Sequence, residues 1–145
     1  MHLDTVLSSV GRHTFTLYQH LADQLPVYTV QTPIEGNGRI EWLYHGNDVR
    51  RALRHLLCDP TLHFYDAAEE KASTDEQHER RDNVLCIDNQ NVITYAGGEP
   101  VNGIVGRMLR SKRYPCHVQT FPQEGLIEGF GGAHCMTNAL HRLPK

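Results

Sequence analysis

Residues 84-VLCIDNQNVITY-95, 100-PVNGIVGRMLR-110 and 116-CHVQTF-121 hold the clearest order of elements in the chain. Runs 84–87 and 92–95 are rich in β-branched and aromatic side chains, and Asp88-Asn89-Gln90-Asn91 between them is turn chemistry. Together they predict a hairpin. Pro100 suits the first turn of a helix, where its missing N–H costs nothing. Val101, Ile104, Val105, Met108 and Leu109 recur at helical spacing and predict the buried stripe. Arg107, Arg110, Lys112 and Arg113 suit the solvent side and the negative C-terminal end. Residues 116–121 are then a further strand, so the order is strand, strand, helix, strand.

The same order is legible upstream. LDTVLSSV (3–10) and TFTLY (14–18) read as strands joined by Gly11-Arg12-His13. An extended piece, 27–32, stops at Pro33, and Glu35-Gly36-Asn37-Gly38 is a turn. Asn47 or Asp48 can cap a helix whose face is Val49, Leu53, Leu56 and Leu57, and Asp59-Pro60 ends it. Residues 62–65 form a short strand. The polar stretch 66–82 predicts a loop with some helix. The chain therefore divides into a ββαβ-like unit with an insertion, 1–82, and a second unit, 83–145, which ends in a glycine-rich loop and a last short strand at 134–137. Helices packed on small mixed sheets make this an α/β protein.

With 145 residues, 39% hydrophobic and 21% charged, the chain can bury one core. A formal net charge of -3 gives no basic surface for nucleic acid. No run approaches the roughly 18 apolar residues that span a bilayer, and the first ten residues have no secretory pattern. Nucleic-acid and membrane partners are therefore not expected, and a cytoplasmic location is. Cys58, Cys86, Cys116 and Cys135 form no CxxC pair, and the ten histidines show no ligand spacing, so neither metal nor cofactor is expected. Cys58, Cys86 and Cys116 sit on apolar faces and are expected in the core.

Chemistry concentrates at the two ends. EGFGGAHCMTNAL, 128–140, places Cys135 after Gly129, Gly131 and Gly132, whose backbones are free to take positive φ and approach a ligand. Taken alone, such a cysteine is usually a small buried hydrophobe. MHLDT at the head and GGAHCMT at the tail, in that order and at this distance, resemble the arginine deiminases of the guanidino-group modifying (pentein) superfamily. The likeness covers essentially the whole chain and matches the C-terminal third or so of that family. Met1 then resembles a methionine that lies inside the family's chain, and the abrupt start is expected to be the middle of something larger.

The resemblance implies an α/β propeller of five ββαβ units around a central site, of which this chain would supply two. It implies a hydrolase that turns L-arginine into citrulline and ammonia. Cys135 would be the nucleophile, His2 the proton donor and acceptor, and Asp4 the carboxylate that grips the guanidinium in a bidentate fork. Gly129 would border the substrate. His134 is expected to point away from Cys135, because neighbours on a strand face opposite sides.

Two departures widen the reading. Phe130 stands where the family commonly places an arginine that grips the substrate carboxylate, and Ala96-Gly97-Gly98 replaces Asp-Arg-Asn. A guanidine other than free arginine, such as agmatine or a peptidyl arginine, suits a site without that clamp. The family's second guanidinium-binding aspartate and the acidic partner of its histidine have no counterpart in these residues. Little or no turnover is therefore expected of the chain alone, and a homo-oligomer or pairing with the missing N-terminal part is expected. A non-catalytic assembly module is the alternative from another class, and a thiol hydrolase of another amide-like substrate is the third.

Overall fold

The computed structural model describes residues 3–31, 40–66, 74–75, 77–89, 91–97, 103–125, 127–129 and 131–137. The turn expected at 35–38, and Pro100, lie outside them. Leu3–Thr5 is one 3-10 turn, so the first strand begins later than its alternation suggests. Strands β1 (Leu7–Gly11) and β2 (Thr14–Leu17) pair antiparallel through the expected Arg12-His13 turn, with a bulge between Ser9 and Gly11. The short helix α1 (Gln19–Ala22) follows. Strands β3 (Tyr28–Gln31) and β4 (Glu41–Tyr44) make a separate antiparallel pair. Helix α2 (Val49–Leu56) then leads to β5 (His63–Tyr65), which joins β2 in parallel.

Downstream, β6 (Leu85–Cys86) and β7 (Asn91–Tyr95) pair antiparallel. Helix α3 (Ile104–Arg110) crosses over to β8 (His117–Phe121), which lies parallel to β7. Each three-stranded sheet thus has an antiparallel pair and one strand added in parallel after a helix. The molecule is a mixed α/β protein with several small sheets.

Local chemistry explains the helix limits. Asp48 caps α2: its side chain accepts a hydrogen bond from the Arg51 N–H at 2.9 Å. The helix stops in a Schellman arrangement, with Cys58 N–H donating to the His55 carbonyl and Asp59 N–H to that of Arg54. Cys58 is the left-handed residue of that stop, at φ 52°, and it is exposed. The expectation of a core cysteine there is wrong, because the position that ends the helix points outward. Leu57 and Leu109 are likewise exposed rather than on buried stripes, since each lies at the frayed end of its helix. Gly103 caps α3 in an extended conformation, so this helix begins at Ile104.

One cluster joins both large sheets: Val10 and Tyr65 pack with Val84, Val92, Ile104 and Met108. Cys86 and Cys116 border it. A second packs Leu17, Ala22, Leu62 and Phe64 against Val49 and Leu53 of α2. Polar ties reinforce the junction. Asp66 takes Arg50 of α2 on one oxygen at 2.8 Å and Arg107 of α3 on the other at 2.5 Å. Tyr65 O–H donates to the Tyr114 carbonyl at 2.7 Å. The β3–β4 pair stands apart, with Tyr28, Val30, Trp42 and Tyr44 aligned on one exposed face.

Candidate active site

The 3-10 turn at the head and the loop 131–137 at the tail meet beside the start of β6. Asn83, fully buried, makes the joint. Its Nδ2 donates to the Asp4 carbonyl at 2.8 Å, and its Oδ1 accepts the Cys135 N–H at 3.1 Å. Ser8 Oγ donates to the same Asp4 carbonyl at 2.6 Å. Asn83 is thus satisfied on both sides of its amide and fixes the two segments against each other.

Loop 131–137 is a turn and not the short strand expected at 134–137. Met136 N–H donates to the Gly132 carbonyl at 3.3 Å and Thr137 N–H to that of His134 at 3.0 Å. Tyr95, at the end of β7, donates its O–H to the Gly131 carbonyl at 2.8 Å. Gly131, Gly132 and Gly129 all lie outside the left-handed region, so the expectation of positive φ fails. What Gly132 supplies is room: a Cβ there would sit 2.4 Å from the Asn83 side chain. Gly129 closes the 3-10 turn Ile127–Gly129, is exposed, and has open space around it.

The turn removes the alternation expected of a strand, and His134 does not face away from Cys135. Both reach the same atom. Cys135 Sγ donates to Asp4 Oδ2 at 3.1 Å, and His134 Nδ1 lies 2.9 Å from it. Asp4 Oδ1 is buried and has no partner among the described residues. His2 and Phe130 lie outside the described residues. Among the described residues no group of His, Cys, Asp and Glu is arranged to hold a metal ion.

The electrostatics follow from this crowding. Burial pushes the Asp4 carboxyl upward, but hydrogen bonds from His134, Cys135 and Asn83, with the His134 charge, hold it below the usual value. Burial raises the Cys135 thiol, and the neighbouring Asp4 carboxylate raises it further against the opposing pull of the Gly132 and Asn83 hydrogen bonds. The site is therefore a protonated thiol beside an anionic carboxylate. A cation placed next to Asp4 offsets the charge that keeps the proton on sulfur.

Comparison with known proteins bears on this pairing of head and tail. The family model for arginine deiminase matches residues 1–142. The chain belongs to the arginine deiminase family. It is 29% identical to an arginine deiminase of Listeria welshimeri over 98% of this chain and 34% of that protein. An arginine deiminase of Clostridium perfringens is 27% identical, with 98% of this chain and 33% of that protein covered. One from Listeria monocytogenes is 31% identical over 98% of this chain and 33% of that protein. The chain spans about a third of the length of the curated relatives it matches. The matched range runs across both ends of the chain, and so includes both Asp4 and Cys135. Among the described residues no helix is long and apolar enough to cross a membrane.

Sequence reasoning reached Asp4 and Cys135 but missed Asn83 and Tyr95 as parts of the site, and it set His134 aside. The one local signal for Asn83 is a polar residue directly before the apolar run 84–87.

Proposed function

We propose that the chain carries the nucleophile and a guanidinium-binding carboxylate of an arginine deiminase-type hydrolase, which converts L-arginine to citrulline and ammonia. The observation behind this reading is the 3.1 Å approach of Cys135 Sγ to Asp4 Oδ2. A guanidinium is planar, cationic and a poor electrophile, so hydrolysis needs the cation gripped in its plane and a strong nucleophile over its face. Asp4 beside Cys135 is placed to pair with the cation through a charge-assisted hydrogen bond.

The steps then follow. The Cys135 thiolate adds to the guanidinium carbon and forms a C–S bond. His2 gives a proton to the departing nitrogen, the C–N bond breaks, and ammonia leaves a covalent thiouronium. His2 next takes a proton from water, whose oxygen adds to the same carbon. The C–S bond breaks, the thiolate returns, and citrulline departs. The substrate cation itself favours the thiolate by offsetting Asp4, so reactivity rises when the site is filled. The role of His2 rests on the family likeness, as does that of Gly129 beside the substrate.

In this reading, segments 1–82 and 83–145 are two ββαβ blades of a five-bladed α/β propeller in a cytoplasmic enzyme. The shared strand order of the two large sheets supports it. Phe130, in place of the family's usual arginine, favours agmatine or peptidyl arginine as alternative substrates. The chain alone turns over little or nothing, because a second guanidinium-gripping carboxylate and a partner for His2 have no counterpart in its residues.

A second reading rests on the exposed β3–β4 face: a non-catalytic module that assembles with itself or with another chain. Iodoacetamide labelling of Cys135, with and without a guanidine ligand, separates the two. Labelling that the ligand blocks supports the hydrolase site. Slow labelling indifferent to the ligand supports the module and overturns the hydrolase reading.

A further inference from the structure

A cavity of about 330 Å³ opens between the two large sheets, at the end of β1 away from Asp4. The five residues of β1 separate the two places, roughly 16 Å at strand rise. Arg12 and His13 reach the cavity from the β1–β2 turn, Asn89 from the β6–β7 turn, and Arg113, Tyr114 and Pro115 from the approach to β8. Among the described residues no acidic side chain lines it.

Charge is the distinguishing feature. The whole chain carries -3, yet two arginines from different segments line one cavity. Neither Arg12 nor Arg113 has an ion-pair partner among the described residues. The carboxylates nearest in the chain serve their own loops. Asp59 takes His13 Nδ1 at 2.5 Å and both the N–H and O–H of Thr61. Asp88 takes the backbone and side-chain N–H groups of Asn91. The wall is planar and apolar: Tyr114 stacks on His63, and the Arg113 guanidinium sits 5.3 Å from the Tyr114 ring centre. Burial lowers the His63 pKa, and Arg107, Arg113 and Arg54 depress it further against the opposing effect of Asp66.

We propose that this cavity binds a small multivalent oxyanion, a phosphate or polycarboxylate group, held between Arg12 and Arg113 against the Tyr114–Pro115 wall. A guanidinium presents paired N–H donors in a plane that matches such groups, and two of them from separate segments favour a ligand with more than one negative charge. Asn89 adds a neutral donor at the rim. This site is independent of the deiminase reading, since it shares no residue with the Asp4–Cys135 pair.

Calorimetric titration of the chain with inorganic phosphate and, separately, citrate tests it, with sodium chloride holding the ionic strength constant. Saturable binding at one site is expected for at least one of them, in the millimolar range or tighter. If only phosphate binds, the ligand class is phosphate; if citrate binds, it extends to polycarboxylates. Arg12→Gln and Arg113→Gln, both at exposed positions that leave the core intact, each weaken binding by roughly tenfold. Arg51→Gln, on the exposed side of α2, leaves it unchanged. Absence of saturable binding for both anions, or an equal loss with Arg51→Gln, overturns the proposal.

Discussion

Cys135 Sγ lies 3.1 Å from Asp4 Oδ2, with nearly the whole chain between the two residues in sequence. Burial is the first cause of the raised thiol pKa, and the Asp4 hydrogen bond and charge add to it. Asp4→Asn removes the charge, so the thiol pKa falls and the thiolate fraction at neutral pH rises. The rate of iodoacetamide labelling at pH 7 is expected to increase severalfold, since the thiolate is the reacting form. Protection by a guanidine ligand is lost in the same variant. A slower reaction would show that Asp4 does not hold the thiol protonated.

Asn83 and Gly132 form a matched pair. Asn83→Ala leaves the Cys135 N–H without its partner and the Asp4 carbonyl with Ser8 Oγ alone, which costs about 1–3 kcal/mol in a buried setting. Gly132→Ala puts a methyl group where Asn83 stands, 2.4 Å away, and costs about 1–3 kcal/mol by overpacking. Urea unfolding measures both. If the loop is held through Asn83, the double variant loses somewhat less than the sum of the singles, because Ala at 83 removes the Oδ1 and Cγ contacts at 2.4 and 2.6 Å while the Cβ contact at 2.4 Å remains. Strict additivity would place the two residues in separate environments.

Helix α2 is legible because its signals are local: Asp48 before the first turn, Val49 and Leu53 on the buried face, Asp59-Pro60 beyond the end. Strand β4 is not, because all of Glu41–Tyr44 is exposed and no buried alternation marks it. The shape of the His134–Cys135 loop is also hidden. It depends on Asn83 fitting over Gly132 and on Tyr95 donating to Gly131, contacts between segments far apart in sequence. Asp4 and Cys135 were found by the likeness of two distant motifs to one family. No single local pattern distinguishes either from a surface aspartate or a core cysteine.

Cys58 pays for the stop of α2 with a left-handed backbone that a side chain with a Cβ disfavours. Glycine suffers no such penalty at this position. Cys58→Gly is therefore expected to stabilise the chain by about 0.5–1 kcal/mol in urea unfolding, in contrast to glycine within a helix. Destabilisation would mean that the Cys58 thiol makes a contact worth more than the backbone strain.

Trp42 is 68% exposed, and its ring meets Tyr28 edge-on across the β3–β4 pair. With Tyr44 and Val30 it makes an apolar face that the rest of the described chain leaves uncovered. Trp42→Ser is expected to shift sedimentation-velocity profiles toward monomer at a fixed concentration, while unfolding stability changes by less than about 0.5 kcal/mol. Unchanged association would remove this face from any assembly surface.

Asp59 ties the stop of α2 to the β1–β2 turn, taking both Thr61 donors and His13 on one carboxylate. The Thr61 hydrogen bond, then that of His13, lowers its pKa to about 2 against the opposing effect of burial. A carboxyl with a depressed folded-state pKa contributes stability that is fully present above its unfolded value, about 3.9. That contribution disappears as pH falls from there through about 2, where the folded-state group also takes up its proton. Asp59→Asn should therefore be less stable than the parent chain at pH 6, and the gap should close between pH 4 and pH 2. Urea midpoints across that range measure it. A gap that stays constant down to pH 2 would mean that Asp59 acts through packing and neutral hydrogen bonds, with no part played by its charge.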